Sequence, residues 1–253
     1  MQGVNRRPII QVANVTIGHE GETLLENLCF EVYEGEIFAV LGGSGCGKST
    51  LLKHLIGLML PQTGHITIDG IQITGCNEEA LRQVQQRIGV LFQSGALFGS
   101  MTIADNVALP IRQYTVLPEE AITTLVRMKL HQVNLNGYET YLPSELSGGM
   151  KKRAGLARAI ALSPKILFFD EPSAGLDPIL AAELDHLIVH INATLGTTMV
   201  IVTHDLQSIF TVAQRVIVLD RVTKSIIAHG NPLQLRDEST DPFVRGFFHR
   251  QPL

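Results

Sequence analysis

The segment Gly42–Thr50 has the glycine content and the charge pattern of a loop that binds phosphate. It fits G-x-x-x-x-G-K-[ST] and lies between an apolar run, Glu36–Leu41, and a stretch with helical periodicity from Lys48 to about Leu58. Glycines let backbone N–H groups turn toward an anion, and a helix N-terminus adds partial positive charge. A glycine-rich turn without a ligand is the alternative, and the strand-loop-helix context argues against it. The residues predicted to bind a nucleotide here are Gly42, Gly43, Ser44, Gly45, Cys46, Gly47, Lys48, Ser49 and Thr50.

Phosphate chemistry on such a loop also needs a metal ligand and a base from elsewhere in the chain. The apolar run Ile166–Phe169 is followed by two adjacent acids, Asp170 and Glu171. We expect Lys48 to contact the β- and γ-phosphates, and the Ser49 hydroxyl to bind Mg²⁺. Asp170 is predicted to hold the same Mg²⁺, directly or through water, and Glu171 to orient or deprotonate the attacking water. For an isolated Asp-Glu pair, an ordinary surface turn is the alternative.

Gln93 and His204 each end another apolar run, Arg87–Gln93 and Val200–His204. Because ligands of open α/β sheets bind outside the carboxyl ends of the strands, both side chains are placed within reach of a γ-phosphate. We predict Gln93 to be a Mg²⁺ ligand with a catalytic role, and His204 to be catalytic. A purely structural role is the alternative for each.

A second segment, Leu146–Met150, also has the features of an anion site and is called the signature segment below. Ser147 suits a helix N-cap, and Gly148 and Gly149 expose backbone N–H groups at the start of a helix predicted over Lys151–Leu162. One nucleotide cannot use both phosphate sites in one compact domain if the second site lies on a helical insertion. We therefore predict a head-to-tail homodimer with twofold symmetry that shares two nucleotides.

Composition excludes several classes of protein. The chain has 253 residues, of which 45% are hydrophobic and 17% charged, and this excludes a disordered chain. Its net charge of −4 argues against nucleic acid as a partner. The longest stretch without Asp, Glu, Lys or Arg, His186–His204, is too polar to span a membrane, and we see no secretory signal, so we expect a cytoplasmic protein. Cys29, Cys46 and Cys76 form no C-x-x-C pair and are expected to be free thiols.

The apolar periodicity predicts an α/β fold, and the phosphate loop within it is typical of P-loop NTPases. Two alternating segments, Ile10–Ile17 and Leu24–Val32, predict an antiparallel β edge, and the later apolar runs predict parallel strands of a mixed sheet core. Between them lies an inserted α-helical subdomain, with helices broken at Pro110, Pro118, Pro143 and Pro164. We divide the chain into a nucleotide-binding core (residues 1–93 and 165–230), a helical subdomain (residues 94–164) and a tail (residues 231–253).

The order and spacing of these motifs resemble the ATP-binding subunits of ABC transporters over nearly the whole chain. The resemblance rests on the phosphate loop, Gln93, the signature segment, Asp170-Glu171, Ser173–Asp177 and His204. It implies ATP and Mg²⁺ as cofactors, and it implies that Ser147 and Gly149 contact the γ-phosphate bound by the partner's Lys48. Gly148, between them, is predicted to belong to the same nucleotide-binding segment. It also implies that Asp177 communicates across the dimer and that His204 is a switch residue. His19 stands where most members have a tyrosine that stacks on adenine.

Met150 with the basic residues after it, together with Phe92–Phe98 and the tail segment Asp241–Arg245, resembles the Mla-type ATPases within this family. In that system the complex moves phospholipids between the inner and outer membranes of Gram-negative bacteria. The resemblance implies a peripheral subunit on the cytoplasmic side of the inner membrane. Its implied partners are integral-membrane permease subunits, a periplasmic lipid-binding protein of the MCE type and a small STAS-like protein.

We expect an ATPase that drives phospholipid transport through a separate permease. The uncharged segment Ser94–Thr102 is predicted to form part of the permease docking surface, with an ordinary core segment as the alternative. Phe243, Phe247 and Phe248 are predicted to pack on a neighbouring subunit or a small partner. An importer of amino acids or other small solutes is the main alternative. A non-transport ABC ATPase is less favoured, and a GTPase is disfavoured because the sequence has no N-K-x-D segment.

Overall fold

The computed structural model describes residues 7–19 and 22–249. Within them the strands are β1 (Pro8–His19), β2 (Glu22–Tyr33), β3 (Ile37–Gly42), β4 (Thr63–Ile68), β5 (Ile71–Gln72), β6 (Ile88–Leu91), β7 (Ile166–Asp170), β8 (Thr198–Val202), β9 (Arg215–Asp220) and β10 (Ser225–Gly230). The helices are α1 (Lys48–Leu55), α2 (Glu78–Gln85), α3 (Ile103–Tyr114), α4 (Glu119–Gln132), α5 (Gly148–Ala159), α6 (Pro178–Leu195), α7 (Leu206–Val212), α8 (Pro232–Glu238) and α9 (Pro242–His249), with a 3₁₀ turn at Pro143–Glu145. The chain forms two compact units, one with the residues up to Gln85 and from Thr198 onward, the other with Gln86–Thr197.

The first unit contains the antiparallel edge and most of the mixed sheet. Strands β2, β1, β4 and β5 pair in that order, and every pairing is antiparallel. In the other sheet of this unit, β3 pairs in parallel with β8 and β9, and β10 pairs antiparallel with β9. All residues of β3 and β8 are buried, which explains why their sequences are uninterrupted apolar runs. The predicted α/β fold with a mixed sheet and an antiparallel edge is confirmed.

The second unit is mostly helical around one parallel strand pair. Strand β6 pairs with β7, and the register places Leu91 beside Phe169 near the carboxyl ends of both strands. Helices α3, α4 and α5 contact one another, and α5 also contacts β6 and α6. Among the described residues, no helix is both long and apolar enough to cross a membrane. The four-part division of the chain at residues 93, 164 and 230 stays a prediction.

The prediction that Pro110 breaks a helix is wrong, because Pro110 lies inside α3 and the helix continues past it. Proline has no N–H to donate to the carbonyl of residue 106, so the helix loses one hydrogen bond. Val107, Ala108 and Ile111 are nevertheless buried, and tertiary packing of one helix face outweighs the missing bond. The helix predicted from Lys151 in fact begins at Gly148, and the sequence did not predict α2, β5, α7 or β10.

The tail forms two helices, and its aromatic residues pack on the chain's own core. Val244 and Phe248 of α9 are buried in a cluster with residues of β3, β9 and α7, and Phe243 and Phe247 pack against the same cluster. The ring centroid of Phe248 lies 5.9 Å from that of Phe210. The prediction that Phe248 packs on another protein is therefore wrong, because this apolar ring finds its burial within the first unit.

We expect Phe248→Ala to lower the free energy of unfolding by about 3–5 kcal/mol, since it removes a buried ring and leaves a cavity. Chemical denaturation monitored by circular dichroism measures the change. Arg245→Ala is the control, because Arg245 is exposed on the same helix and its loss should cost less than about 0.5 kcal/mol. Equal stabilities of the two variants would contradict the packing of α9.

Candidate functional site

The phosphate loop connects the end of β3 to the start of α1. Gly47 is the N-cap of α1, with φ 96°, and no side chain caps this helix. The first N–H groups of a helix lack partners within the helix, and here no acidic residue lies in the first turn. The start of α1 therefore offers backbone donors and partial positive charge to an anion.

The Lys48 side chain is hydrogen-bonded to this loop through its ammonium group. The side-chain Nζ donates hydrogen bonds to the carbonyl oxygens of Gly42 and Gly43, both at 3.0 Å, and the residue is 8% exposed. A buried ammonium needs such partners. The positive charge is therefore fixed at the mouth of the loop, where a phosphate would exchange for the carbonyl contacts.

Gly42 is required both by its backbone conformation and by its surroundings. Its φ is 153°, and a Cβ at this position would lie 2.5 Å from Cys46 Sγ and 2.6 Å from the Leu219 carbonyl oxygen. Cys46 itself is buried, and burial raises the pKa of its thiol. Burial therefore disfavours the reactive thiolate form of Cys46, and its side chain serves to pack against the loop.

His204 lies at the same sheet edge as the phosphate loop. Strands β3 and β8 are parallel neighbours, and Val40 pairs with Val202. Two residues further along, the first chain segment reaches Gly42 of the phosphate loop and the second reaches His204. The N–H of Thr203 donates to the Val40 carbonyl at 3.4 Å, and the Asp205 side chain caps α7. The parallel pairing therefore brings together the two features of this unit that the sequence assigned to the γ-phosphate. His19 is the last residue of β1, and its side chain lies outside the described residues, so its stacking on adenine stays a prediction.

In the second unit, Gln93, Asp170 and Glu171 come together at the carboxyl ends of β6 and β7. Gln93 follows β6 by two residues and is exposed, whereas Asp170 and Glu171 are half-buried. One buried side chain connects the two strand ends, because Lys152 Nζ donates to the Gln93 carbonyl and, at 3.3 Å, to the Glu171 carbonyl. The structure thus brings Gln93 together with a pair of adjacent acids that lies far from it in the sequence.

Glu171 has an unusual backbone conformation for a residue with a side chain. Its φ is 47°, in the left-handed region, which costs of order 1–3 kcal/mol in a residue other than glycine. Its carbonyl oxygen accepts a hydrogen bond from the Ala174 N–H at 3.2 Å as well as from Lys152. These contacts hold the backbone in a conformation that it would not otherwise prefer.

The signature segment forms the N-terminus of α5, as predicted. Ser147 is the N-cap, and its Oγ accepts a hydrogen bond from the Met150 N–H at 3.3 Å. Gly148 is exposed, and Gly149 is buried against Leu180. Ser147 therefore has a structural task besides any contact with a ligand.

Asp177 is the N-cap of α6. Its Oδ1 accepts hydrogen bonds from the N–H groups of Ile179 and Leu180, at 3.0 and 3.1 Å. This contact orders the loop between β7 and α6, and communication across a dimer stays a prediction for this residue.

The sequence reasoning did not find Lys152 and Arg158, two cations on α5 that hold backbone near the candidate site. Arg158 donates to the carbonyl oxygens of Ala96 and Gly95, at 2.7 and 3.2 Å. Burial lowers the pKa of both side chains, while the carboxylates of Asp170 and Glu171 favour the charged form of Lys152. One signal was available, because Lys152 lies four and eight residues before Leu156 and Ile160, on the helix face predicted to be buried.

A Mg²⁺ ion bound by this chain would depend on oxygen donors of several kinds. Among the described residues, no group of three or more His, Cys, Asp and Glu side chains is arranged to hold a metal. Mg²⁺ prefers few protein ligands together with substrate phosphates, and the hydroxyl of Ser49, the amide of Gln93 and the carboxylate of Asp170 are donors of the right chemistry.

Comparison with known proteins agrees with these features. Residues 25–174 match the family described as ABC transporter. A Haemophilus influenzae protein, the intermembrane phospholipid transport system ATP-binding protein MlaF, is 42% identical over 94% of this chain and 90% of its own length. MlaF of Escherichia coli K12 is 41% identical over 94% of this chain and 88% of its own length. The probable ribonucleotide transport ATP-binding protein mkl of Mycobacterium leprae is 42% identical over 98% of this chain and 71% of its own length.

Two solved structures are also similar. The ATP-binding cassette MJ0796, in a dimeric post-hydrolysis state with ADP and phosphate, has a TM-score of 0.79 and 28% identity, covering 88% of this chain and 98% of that one. The cbiO1 protein of Clostridium perfringens, part of the ABC transporter complex cbiONQ, has a TM-score of 0.83 and 30% identity, covering 91% of each chain.

The phosphate loop after β3 and the two acids at the carboxyl end of β7 define a P-loop nucleotide hydrolase. Within that class, the chain belongs to the ABC transporter family and is an ATP-hydrolysing subunit. The expectation from the motif order, an ATP-binding subunit of the ABC transporter family, is confirmed.

Proposed function

We propose that this chain is the ATPase subunit of a phospholipid transporter and that it acts on a separate membrane permease. The observation that carries the proposal is the similarity to the two MlaF proteins, which extends over 94% of the chain and so includes every candidate site residue from His19 to His204. An importer of amino acids has no comparable support. Ribonucleotide is the competing cargo, because the mkl protein matches equally well.

The proposed working form is a head-to-tail homodimer that shares two ATP molecules. The similar cassette MJ0796 is dimeric in a post-hydrolysis state with ADP and phosphate, which supports a dimer for this chain. Each phosphate loop binds one ATP through its nine residues, and Ser147, Gly148 and Gly149 of the partner complete the γ-phosphate contacts. Asp177 relays the state of one half to the other.

Each polar residue has a stated task in hydrolysis. Ser49, Asp170 and Gln93 provide oxygen ligands for Mg²⁺, which would neutralise phosphate charge. Glu171 accepts a proton from the attacking water, and His204 senses the γ-phosphate from the end of β8. His19 contacts the adenine base.

The proposed location is the cytoplasmic face of the inner membrane. The chain associates there with permease subunits, and the complex includes a periplasmic lipid-binding protein of the MCE type and a small STAS-like protein. The similarity to the MlaF proteins supports a permease partner, since each is named as part of a transport system. Nucleic acid is not a partner.

The proposed docking surface for the permease lies in the second unit. A groove of about 380 Å³ is lined by residues of β6, α3 and α5 and by the loop after Gln93, among them Phe98, Leu109, Pro110 and Tyr114. Phe98 is 51% exposed and belongs to the mostly apolar lining of this groove, so it adds to a continuous apolar patch. The buried side chain of Asn106 fixes the loop, because it accepts from the Phe98 N–H at 2.8 Å and donates to the Phe98 carbonyl at 3.1 Å.

We expect Phe98→Asp to abolish co-purification with the permease, because the new carboxylate opposes docking of an apolar partner surface. ATP hydrolysis by the isolated subunit should stay within about twofold, because Phe98 has no assigned part in hydrolysis. Met128→Asp is the matched control, since Met128 is 54% exposed on α4 of the same unit. A pull-down with tagged permease compares the variants. Undiminished binding by Phe98→Asp would place the docking surface elsewhere.

The cargo is tested by reconstitution. The complex with its permease is placed in vesicles that contain fluorescent phospholipid, and transfer to acceptor vesicles is followed with ATP and Mg²⁺. We expect transfer that stops when ATP is omitted. ATP-dependent uptake of ribonucleotide without phospholipid transfer would instead favour the activity named for the mkl protein.

A further inference from the structure

Lys152 is a buried cation whose hydrogen bonds end on two candidate catalytic residues. It is 6% exposed, and its Nζ donates to the carbonyl oxygens of Gln93 and Glu171. Removing an ammonium from water is costly unless the charge is hydrogen-bonded. We propose that Lys152 is a positioning residue, which ties the backbone of the base Glu171 and of Gln93 to the signature helix α5. This inference rests on the catalytic roles assigned under the proposed function.

The contacts are to backbone atoms, and this is the reason to assign a positioning role. A hydrogen bond to the Glu171 carbonyl acts on the backbone of that residue, and so on the direction in which its side chain leaves the chain. The left-handed φ of 47° at Glu171 is maintained by donors to that same carbonyl, of which Lys152 is one. Loss of the ammonium should therefore alter the direction of the Glu171 carboxylate and leave the affinity for ATP nearly unchanged.

A second cation on α5 extends the same connection. Arg158 holds the carbonyl oxygens of Gly95 and Ala96, and Ala96 also has a positive φ, 49°. Helix α5 thus fixes the segment after β6 at Gln93 and again at Gly95 and Ala96. Because α5 begins at the signature segment, any displacement of Ser147 by a nucleotide would be transmitted through Lys152 to the base and to Gln93.

Lys129 provides a matched control within the same unit. It is also 6% exposed, and burial lowers the pKa of its ammonium as it does for Lys152. Its Nζ donates to Ser163 Oγ at 2.9 Å and contacts no candidate catalytic residue. A buried lysine with a purely structural task is therefore available for comparison.

The test compares the ATP hydrolysis of Lys152→Met and Lys129→Met in the otherwise intact protein. We expect Lys152→Met to lower kcat about 10–100-fold with KM for ATP nearly unchanged, because small misplacements of a reacting group cost that much. Lys129→Met should keep kcat within about twofold, even if its Tm falls as far as that of Lys152→Met. A kcat for Lys152→Met near that of Lys129→Met would overturn the proposal. Lys152→Gln, which retains an amide donor, replaces the methionine variant if that variant does not fold, and it should show a smaller loss of kcat in the same direction.

A double-mutant comparison separates this inference from the proposed function. If Lys152 acts through Glu171, then Lys152→Met adds little to the loss already caused by Glu171→Gln, so the two effects are not additive. Fully additive losses would refute a role through Glu171. Normal turnover by Glu171→Gln alone would instead show that the proposed base is wrong, and this outcome is distinguishable from a failure of the Lys152 proposal.

Discussion

Glu171→Gln lowers kcat for ATP hydrolysis by about 10²–10⁴-fold, the usual contribution of a positioned general base. Glutamine has the same size and keeps the backbone contacts of residue 171 to Lys152 and Ala174, but its amide accepts no proton from water. ATP binding persists, because the phosphate loop and Lys48 are unchanged. The dimer should accumulate, since the ATP that holds its halves together is no longer consumed.

Two measurements check this result. Phosphate release gives kcat, and size-exclusion chromatography with and without ATP gives the fraction of dimer. Glu120→Gln is the control, because Glu120 is an exposed carboxylate in the first turn of α4. Turnover at the wild-type rate in Glu171→Gln would remove Glu171 from the role of base.

Lys48→Ala weakens ATP binding by about 10–100-fold, the equivalent of one lost charge-assisted hydrogen bond. The substitution removes the ammonium that would contact the phosphates, and it also removes the contacts to the carbonyl oxygens of Gly42 and Gly43 that order the free loop. Hydrolysis falls with the occupancy of the site.

Titration with a fluorescent ATP analogue measures the affinity. Lys53→Ala is the control, because Lys53 is exposed near the end of the same helix α1. A thermal melt of each variant shows whether the loop change has also destabilised the first unit. Tight ATP binding by Lys48→Ala would contradict the phosphate-loop assignment.

The fold was predictable where a strand's burial produces an uninterrupted or alternating apolar pattern in the sequence. Strands β3 and β8 are buried along their whole length, and the apolar runs Glu36–Leu41 and Val200–His204 predicted them within one and two residues at each end, respectively. The continuous α3 was not predictable, since the packing of Val107 and Ile111 decides whether the helix continues past Pro110. Local propensity gives no access to such tertiary packing.

The site was predictable to the extent that residue type and spacing carry the chemistry. The phosphate loop and the acids after β7 lie at strand ends, as the sequence indicated. The left-handed conformation of Glu171 has no signature in its residue type, and the carbonyl contacts of Lys152 depend on the pairing of β6 with β7. In the sequence, the basic run Lys151–Arg153 at the start of α5 is typical of a solvent-exposed helix face, and only the packing of the helix shows that Lys152 is buried.

The cations on α5 have a consequence for the construction of chimeric transporters. The twelve-residue helix begins at the signature segment and also carries Lys152 and Arg158, whose hydrogen bonds fit backbone carbonyls of this particular chain. A graft of the signature segment alone keeps those bonds, whereas a graft of the whole helix exchanges them together with the segment. Transplantation experiments that change specificity should therefore end the graft at Lys151, so that the donor sequence does not misalign the host's base.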